Sequence, residues 1–242
     1  MNYDCANLIS YQKIYRTNVC PSSLLFSIYI VRYYIKWGKN YWLYRKQQEF
    51  GNILKILQEL QSLGIPEDKI IRIEGVDATE TKEKPIVSCC RSHIRALEYA
   101  MTNGWDEVLI LEDDFQLRGS AERTKACWAH FREMVPTYQV ASWAHNCLQA
   151  RRRAQHMQIL GEGDARVVRV HYLQTASAYA VRRSAMAELK SIYESAIAQD
   201  LPFDTHMTGI TNTVQWFAFD PALSIQRASF SDILQRNVNY KC

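Results

Sequence analysis

The chain has 242 residues and a formal net charge of +4, with 48% of residues hydrophobic and 22% charged. These proportions exclude a disordered or fibrous protein, and the length is enough for one α/β domain to bury a core without disulfide support. The dense basic run Arg151-Arg152-Arg153, with His156 close behind, is too short to make nucleic acid a leading partner, and it reads as a solvated face.

Seven cysteines form an odd set without a repeated spacing, and Cys89 and Cys90 are adjacent. Reduced thiols, a reducing compartment and a cytoplasmic location are expected from that pattern. The opening residues lack the basic-then-apolar order of a secretory signal. The apolar run Leu24 to Ile35 is about 12 residues long and contains Arg32, against roughly 20 residues for a bilayer crossing, so no membrane span is expected.

Residues 1–22 show no clean periodicity and are expected to be an irregular N-terminal extension, leaving 23–242 as one domain. The first strand is expected over Phe26 to Val31. From Gln47 the residues Phe50, Ile53, Leu54, Leu57 and Leu60 recur at helical spacing, and Gly64 stands where a left-handed cap ends such a helix. Lys69 to Glu74 reads as a strand closing at Gly75, so strand, helix and strand follow in the order of a βαβ unit.

A second helix is expected over Ser88 to Thr102, with Ile94, Leu97 and Met101 on one face and Asn103-Gly104 as its stop. Val108 to Leu111 then forms a fully apolar strand. Ser120 to Met134 reads as a helix with Cys127, Phe131 and Met134 inward, followed by a strand from Gln139 to Trp143. Strands over Arg166 to Leu173 and Ala176 to Val181, a helix over Ser184 to Ala198 and a strand over Val214 to Phe219 complete the series. The fold class is α/β, with a mixed, mostly parallel central sheet flanked by helices.

The chemistry concentrates in Val108-Leu109-Ile110-Leu111-Glu112-Asp113-Asp114, where three acids follow an apolar strand at the sheet edge that binds ligands in open α/β folds. In extended geometry Glu112 and Asp114 point to one side and Asp113 to the other. Two converging carboxylates suit a hard, oxygen-seeking ion such as Mg²⁺ or Mn²⁺, which would grip a diphosphate and help a leaving nucleoside diphosphate carry its charge. The same three residues also read as a solvated acidic loop.

The wider segment carries more. Val87-Ser88-Cys89-Cys90-Arg91-Ser92-His93, then Gly104-Trp105-Asp106-Glu107, then the strand closing in Glu112-Asp113-Asp114, resembles glycosyltransferase family 25, which includes lipooligosaccharide and collagen hydroxylysine galactosyltransferases. The resemblance continues through Arg72 to Ala78, Thr175 to Val181, Pro202-Phe203-Asp204, and Pro221 to Gln226 with Ser231-Asp232-Ile233. Departures from the pattern are Ser88 in place of a glycine, the opening strand around Tyr29 to Tyr34, and the region after Trp143.

The resemblance implies a GT-A-like fold, a UDP-sugar donor with galactose or glucose as the hexose, stereochemical inversion, and a glycan or protein hydroxyl as acceptor. Because Asp114 and Glu112 should face the same side, Asp114 is the expected ligand of the Mn²⁺ or Mg²⁺ ion and Glu112 a second ligand or the group that orients the ribose or a metal-bound water, with His206 as an alternative ligand. Asp204 is the expected base beside the acceptor oxygen, although Asp204 equally suits a helix cap. Ser92, His93, Asp113, Thr175 and Gln226 are expected around the donor. The open N–H groups of a helix start favour that place for Ser92 and His93, against the alternative of a buried histidine bonded to a neighbouring strand.

Gln226 and Asp232 either touch the diphosphate or tie down their loop. Trp143, His145 and Asn146 either line an acceptor groove or lie buried. Cys89 and His93 have a metal-like i, i+4 spacing without further ligands nearby in the sequence, which argues against zinc. Two rival readings are a metal-dependent phosphohydrolase and a catalytically degenerate sugar-nucleotide-binding module.

Overall fold

The computed structural model describes residues 27–31, 39–145, 157–161, 166–170, 173, 175–203, 213–231 and 236–239. The extension 1–22, Phe26, Asn146, Arg151 to Arg153, His156, Asp204, His206 and Asp232 lie outside the described residues.

The elements, in chain order, are β1 (Ser27–Val31), α1 (Lys39–Ser62), β2 (Ile70–Ile73), α2 (Ala78–Thr81), α3 (Pro85–Thr102), β3 (Glu107–Glu112), β4 (Phe115–Leu117) and α4 (Ala121–Met134). There follow β5 (Val140–Ser142), β6 (Met157–Gly161), β7 (Arg166–Val170), β8 (Ala178–Arg182), α5 (Arg183–Ala198), β9 (Trp216–Asp220), β10 (Ser224–Gln226), β11 (Ser229–Ser231) and β12 (Arg236–Val238).

Their boundaries have local causes. At Gly64 the backbone turns left-handed with φ +78°, and the Gly64 and Ile65 N–H groups donate to the Gln61 and Leu60 carbonyls, closing α1 in a Schellman turn. α3 begins earlier than its apolar periodicity suggests, because Pro85 at the first helical position needs no hydrogen-bond partner for its nitrogen. Ser120 caps α4 by accepting from the Arg123 N–H at 3.1 Å.

One eight-stranded sheet runs in the order β2-β1-β3-β8-β5-β9-β7-β6. The pairs β2 with β1, β1 with β3, and β5 with β9 are parallel, the first of them as the βαβ start requires. β3 with β8, β8 with β5, β9 with β7, and β7 with β6 are antiparallel. The sheet is therefore mixed, as expected, but its antiparallel pairs outnumber its parallel ones. β8 is inserted against β3 in the opposite sense, and periodicity within a strand carries no information about partner direction.

Helices cover both faces. Val108 and Ile110 of β3 join one buried cluster with Ile94 and Leu97 of α3 and Met186 and Leu189 of α5. Leu109 and Leu111 join the opposite cluster with Ile56 and Leu60 of α1 and Trp128 and Phe131 of α4. Burial on both sides explains why β3 is an unbroken apolar run rather than an alternating one. Each large side chain so removed from water contributes about 1.5–3 kcal/mol before cavity effects.

Candidate active site

β1, β2 and β3 run parallel, so their carboxyl ends share one edge of the sheet, with Val31, Ile73 and Glu112 in adjoining register. β3 reaches that edge as its last residue, Glu112, donates its backbone N–H to the Ser177 carbonyl at 2.8 Å. Asp113 and Asp114 form the turn into β4, which pairs antiparallel with β10 and sets Phe115 opposite Gln226. The short β4–β10 ribbon carries Gln226 from near the C-terminus onto the acids.

Gln226 Nε2 lies 3.2 Å from Glu112 Oε2 and 3.2 Å from Asp114 Oδ2, donating one N–H to each carboxylate. Its Oε1 accepts from the Thr175 hydroxyl at 2.9 Å. Thr175 holds φ +76°, a left-handed conformation that costs a β-branched residue about 1–3 kcal/mol and must be sustained by its surroundings. Turning the Gln226 amide over would let the Thr175 hydroxyl accept instead, and would present a third oxygen to the space between Glu112 and Asp114.

Asp114 is half-buried as a residue, yet its Oδ1 is sealed from solvent and has no hydrogen-bond partner among the described residues. Burial, then the charges of Glu112 and Asp113, push its carboxyl well above the ordinary value, while the Gln226 hydrogen bond pulls the other way. An orphaned oxygen beside a second carboxylate is costly unless protonated or neutralised. These oxygens fit a hard divalent cation held by Asp114 and Glu112.

Behind Glu112 lies a chain of rings. His93 is 1% exposed; its Nε2 is 3.3 Å from Glu112 Oε1 and its Nδ1 is 3.0 Å from the Tyr179 hydroxyl. The Tyr179 and Tyr193 hydroxyls are 3.2 Å apart, and the His93 ring stacks on that of Tyr193 with a 7° interplanar angle. Tyr193 in turn stacks on Phe203. His93 is thus both a buried histidine bonded to a neighbouring strand and a direct neighbour of the acids.

Of the residues singled out in the sequence, the fold brings Glu112, Asp114, Thr175, Gln226 and His93 into one contact network, with the Asp113 charge close by. Ser92 is placed differently. Its hydroxyl accepts from the Val76 N–H at 2.8 Å and donates to the Ser88 carbonyl at 2.7 Å, tying α3 to the segment after β2. Because α3 starts at Pro85, Ser92 and His93 lie past its first turn, where N–H groups are committed within the helix, so the helix-start argument does not apply to them. Trp143 and His145 are buried, and His145 Nε2 sits 2.6 Å from the Phe219 carbonyl oxygen, so neither lines an open groove.

Sequence reasoning missed Arg227 and Glu59. The Arg227 guanidinium bonds Glu59 Oε1 on α1 and, through Nε, the Phe115 carbonyl at 3.0 Å, while its backbone N–H donates to the Asp114 carbonyl at 2.7 Å. Glu59 Oε2 accepts from the Leu117 N–H at 2.6 Å. The pair clamps the acid-bearing turn to α1 across 168 residues of sequence, a separation that no local pattern reports.

No protein-family model matches the chain, and no curated protein matches its sequence. Among solved structures it is similar to a glycosyltransferase involved in the glycosylation of the major capsid of PBCV-1, at 12% identity and a TM-score of 0.47 over 84% of this chain and 94% of that one. It is similar to a UDP-glucose pyrophosphorylase complexed with UDP-glucose, at 10% identity and a TM-score of 0.40 over 69% and 77%. A mannose-1-phosphate geranyltransferase from Thermus thermophilus gives 14% identity and a TM-score of 0.32 over 57% of this chain, which spans only 50% of that one. At these identities and scores nothing about substrate or chemistry follows from the likeness. Among the described residues, no helix is long and apolar enough to cross a membrane.

Proposed function

We propose that the chain is a divalent-metal-dependent, inverting glycosyltransferase that moves galactose or glucose from a UDP-sugar to a hydroxyl on a glycan or protein. The observation that carries this reading is the convergence of Glu112, Asp114 and Gln226, with Asp114 Oδ1 orphaned and its carboxyl pushed up in pKa. The family 25 resemblance of the surrounding segments supplies the substrate class.

Asp114 and Glu112 would hold Mn²⁺ or Mg²⁺, which when bound supplies positive charge against the diphosphate. In the transfer the acceptor oxygen forms a bond to the anomeric carbon as the bond from that carbon to the phosphate oxygen breaks. The bonding pair leaves with UDP, and the acceptor proton passes to a base, for which Asp204 is the candidate by resemblance. Gln226 and Thr175 orient the two carboxylates, and His93 holds Glu112 from behind.

Soaking crystals with Mn²⁺ and a panel of UDP-sugars tests the reading at the atomic level. Density for an ion on Asp114 and Glu112 with the diphosphate against it is expected. A UDP-sugar bound elsewhere, or an ion that ignores both acids, would refute it.

A further inference from the structure

Glu112 stands between two unlike sets of donors. Its Oε2 faces the oxygen-rich side with Gln226 and Asp114, while its Oε1 faces His93 Nε2 at 3.3 Å. On that second side Cys89 joins from the same helix, and the ligand atoms of Cys89, His93 and Glu112 all lie within 4.8 Å of one another. Sequence spacing alone provided only two of the three ligands; β3 provides the third.

We propose that Cys89, His93 and Glu112 form a second cation site for a borderline-soft ion of the zinc type, adjoining the hard-ion site and sharing Glu112 with it. Three observations support it. Two nitrogen or oxygen ligands about 2.0–2.2 Å from a tetrahedral ion lie roughly 3.3–3.5 Å apart, which is the separation of His93 Nε2 from Glu112 Oε1. One thiolate and one carboxylate balance a dication, the thiol proton leaving to solvent as the sulfur–metal bond forms. The far side of His93 already has a partner in place, as a metal-bound histidine requires: Nδ1 is 3.0 Å from the Tyr179 hydroxyl, itself 3.2 Å from that of Tyr193, so the tautomer with its proton on Nδ1, which offers the Nε2 lone pair to an ion, can be satisfied. Cys89 is half-buried, so the sulfur is reachable and its rotamer can close the remaining gap. Three protein ligands leave a fourth position open to water or a substrate group.

The site shares Glu112 with the proposed hard-ion site, but its test needs no turnover and so can fail independently of the transferase reading. Co²⁺ alone, added to the metal-free protein, is expected to produce a thiolate-to-cobalt charge-transfer band that Zn²⁺ abolishes by displacement. Cys89→Ser should remove the band, and Tyr179→Phe should weaken cobalt binding by about 10–100-fold. In the unaltered protein, one equivalent of Zn²⁺ should block alkylation of Cys89 as read by mass spectrometry, a result independent of how any variant folds. A band that persists in Cys89→Ser, or Cys89 alkylated at the same rate with and without Zn²⁺, overturns the proposal.

Discussion

The side-chain nitrogen of Gln226 lies 3.2 Å from Asp114 Oδ2, across 112 residues of sequence. The same nitrogen serves Glu112, so one neutral amide stands where two carboxylates would otherwise face each other unscreened. Replacing it by leucine removes both donors and leaves the acids without them. Gln226→Leu is expected to lower metal-free stability by about 1–3 kcal/mol, checked by urea unfolding. Mn²⁺ should recover part of that loss in the same assay.

Asp114 gives the site a pH dependence with a definite sign. Its carboxyl is raised in the folded protein, so its contribution to metal-free stability is full below the ordinary carboxylate range and is lost as pH rises through the folded-state value. On the proposed reading a cation must displace the proton, so Mn²⁺ binding should release protons and tighten as pH rises. Calorimetry in two buffers of different ionisation enthalpy should show this release, and Asp114→Asn should abolish it.

Glu107 shows the same sign away from the site. Burial raises its carboxyl, while the Tyr138 hydrogen bond and the charges of Arg132 and Arg182 oppose the shift. Stability is therefore lost as pH climbs from the ordinary glutamate value toward the raised one. Glu107→Gln should flatten that part of the curve, as measured by urea unfolding across pH.

The Arg227 clamp predicts a coupled loss. Arg227 and Glu59 have side chains 14% and 22% exposed, so removing the guanidinium leaves a largely covered carboxylate without its counter-charge, held among the described residues only by the Leu117 N–H. Arg227→Ala should destabilise by about 2–4 kcal/mol, below the full cost of a sealed pair because some solvent reaches it. It should also loosen Gln226 and weaken Mn²⁺ binding, whereas Phe131→Ala, deep in the core beneath α4, should cost about 3–5 kcal/mol and leave Mn²⁺ affinity intact.

How much of this was legible in the sequence follows from range. β3 was visible because both of its faces are covered, and α1 was given its end by Gly64, whose positive φ suits glycine. The acids were visible because they end an apolar run. By contrast, β4 and β10 have three residues each, too few to show any period, and their pairing is what delivers Gln226. The start of α3 is hard to read because Lys84 offers no capping side chain, and only Pro85 marks it. The stack of Tyr179, His93 and Tyr193 joins β8, α3 and α5, so its parts were present in the sequence but their meeting was not.

The central claim is tested most directly by metal-dependent release of UDP from UDP-galactose and UDP-glucose by the purified protein, compared with Asp114→Asn folded to the same extent by circular dichroism. Release by the unaltered protein that requires Mn²⁺ or Mg²⁺ and falls by about 100-fold or more in the variant is the expected result. Release that ignores added metal, or that Asp114→Asn leaves unchanged, would contradict it.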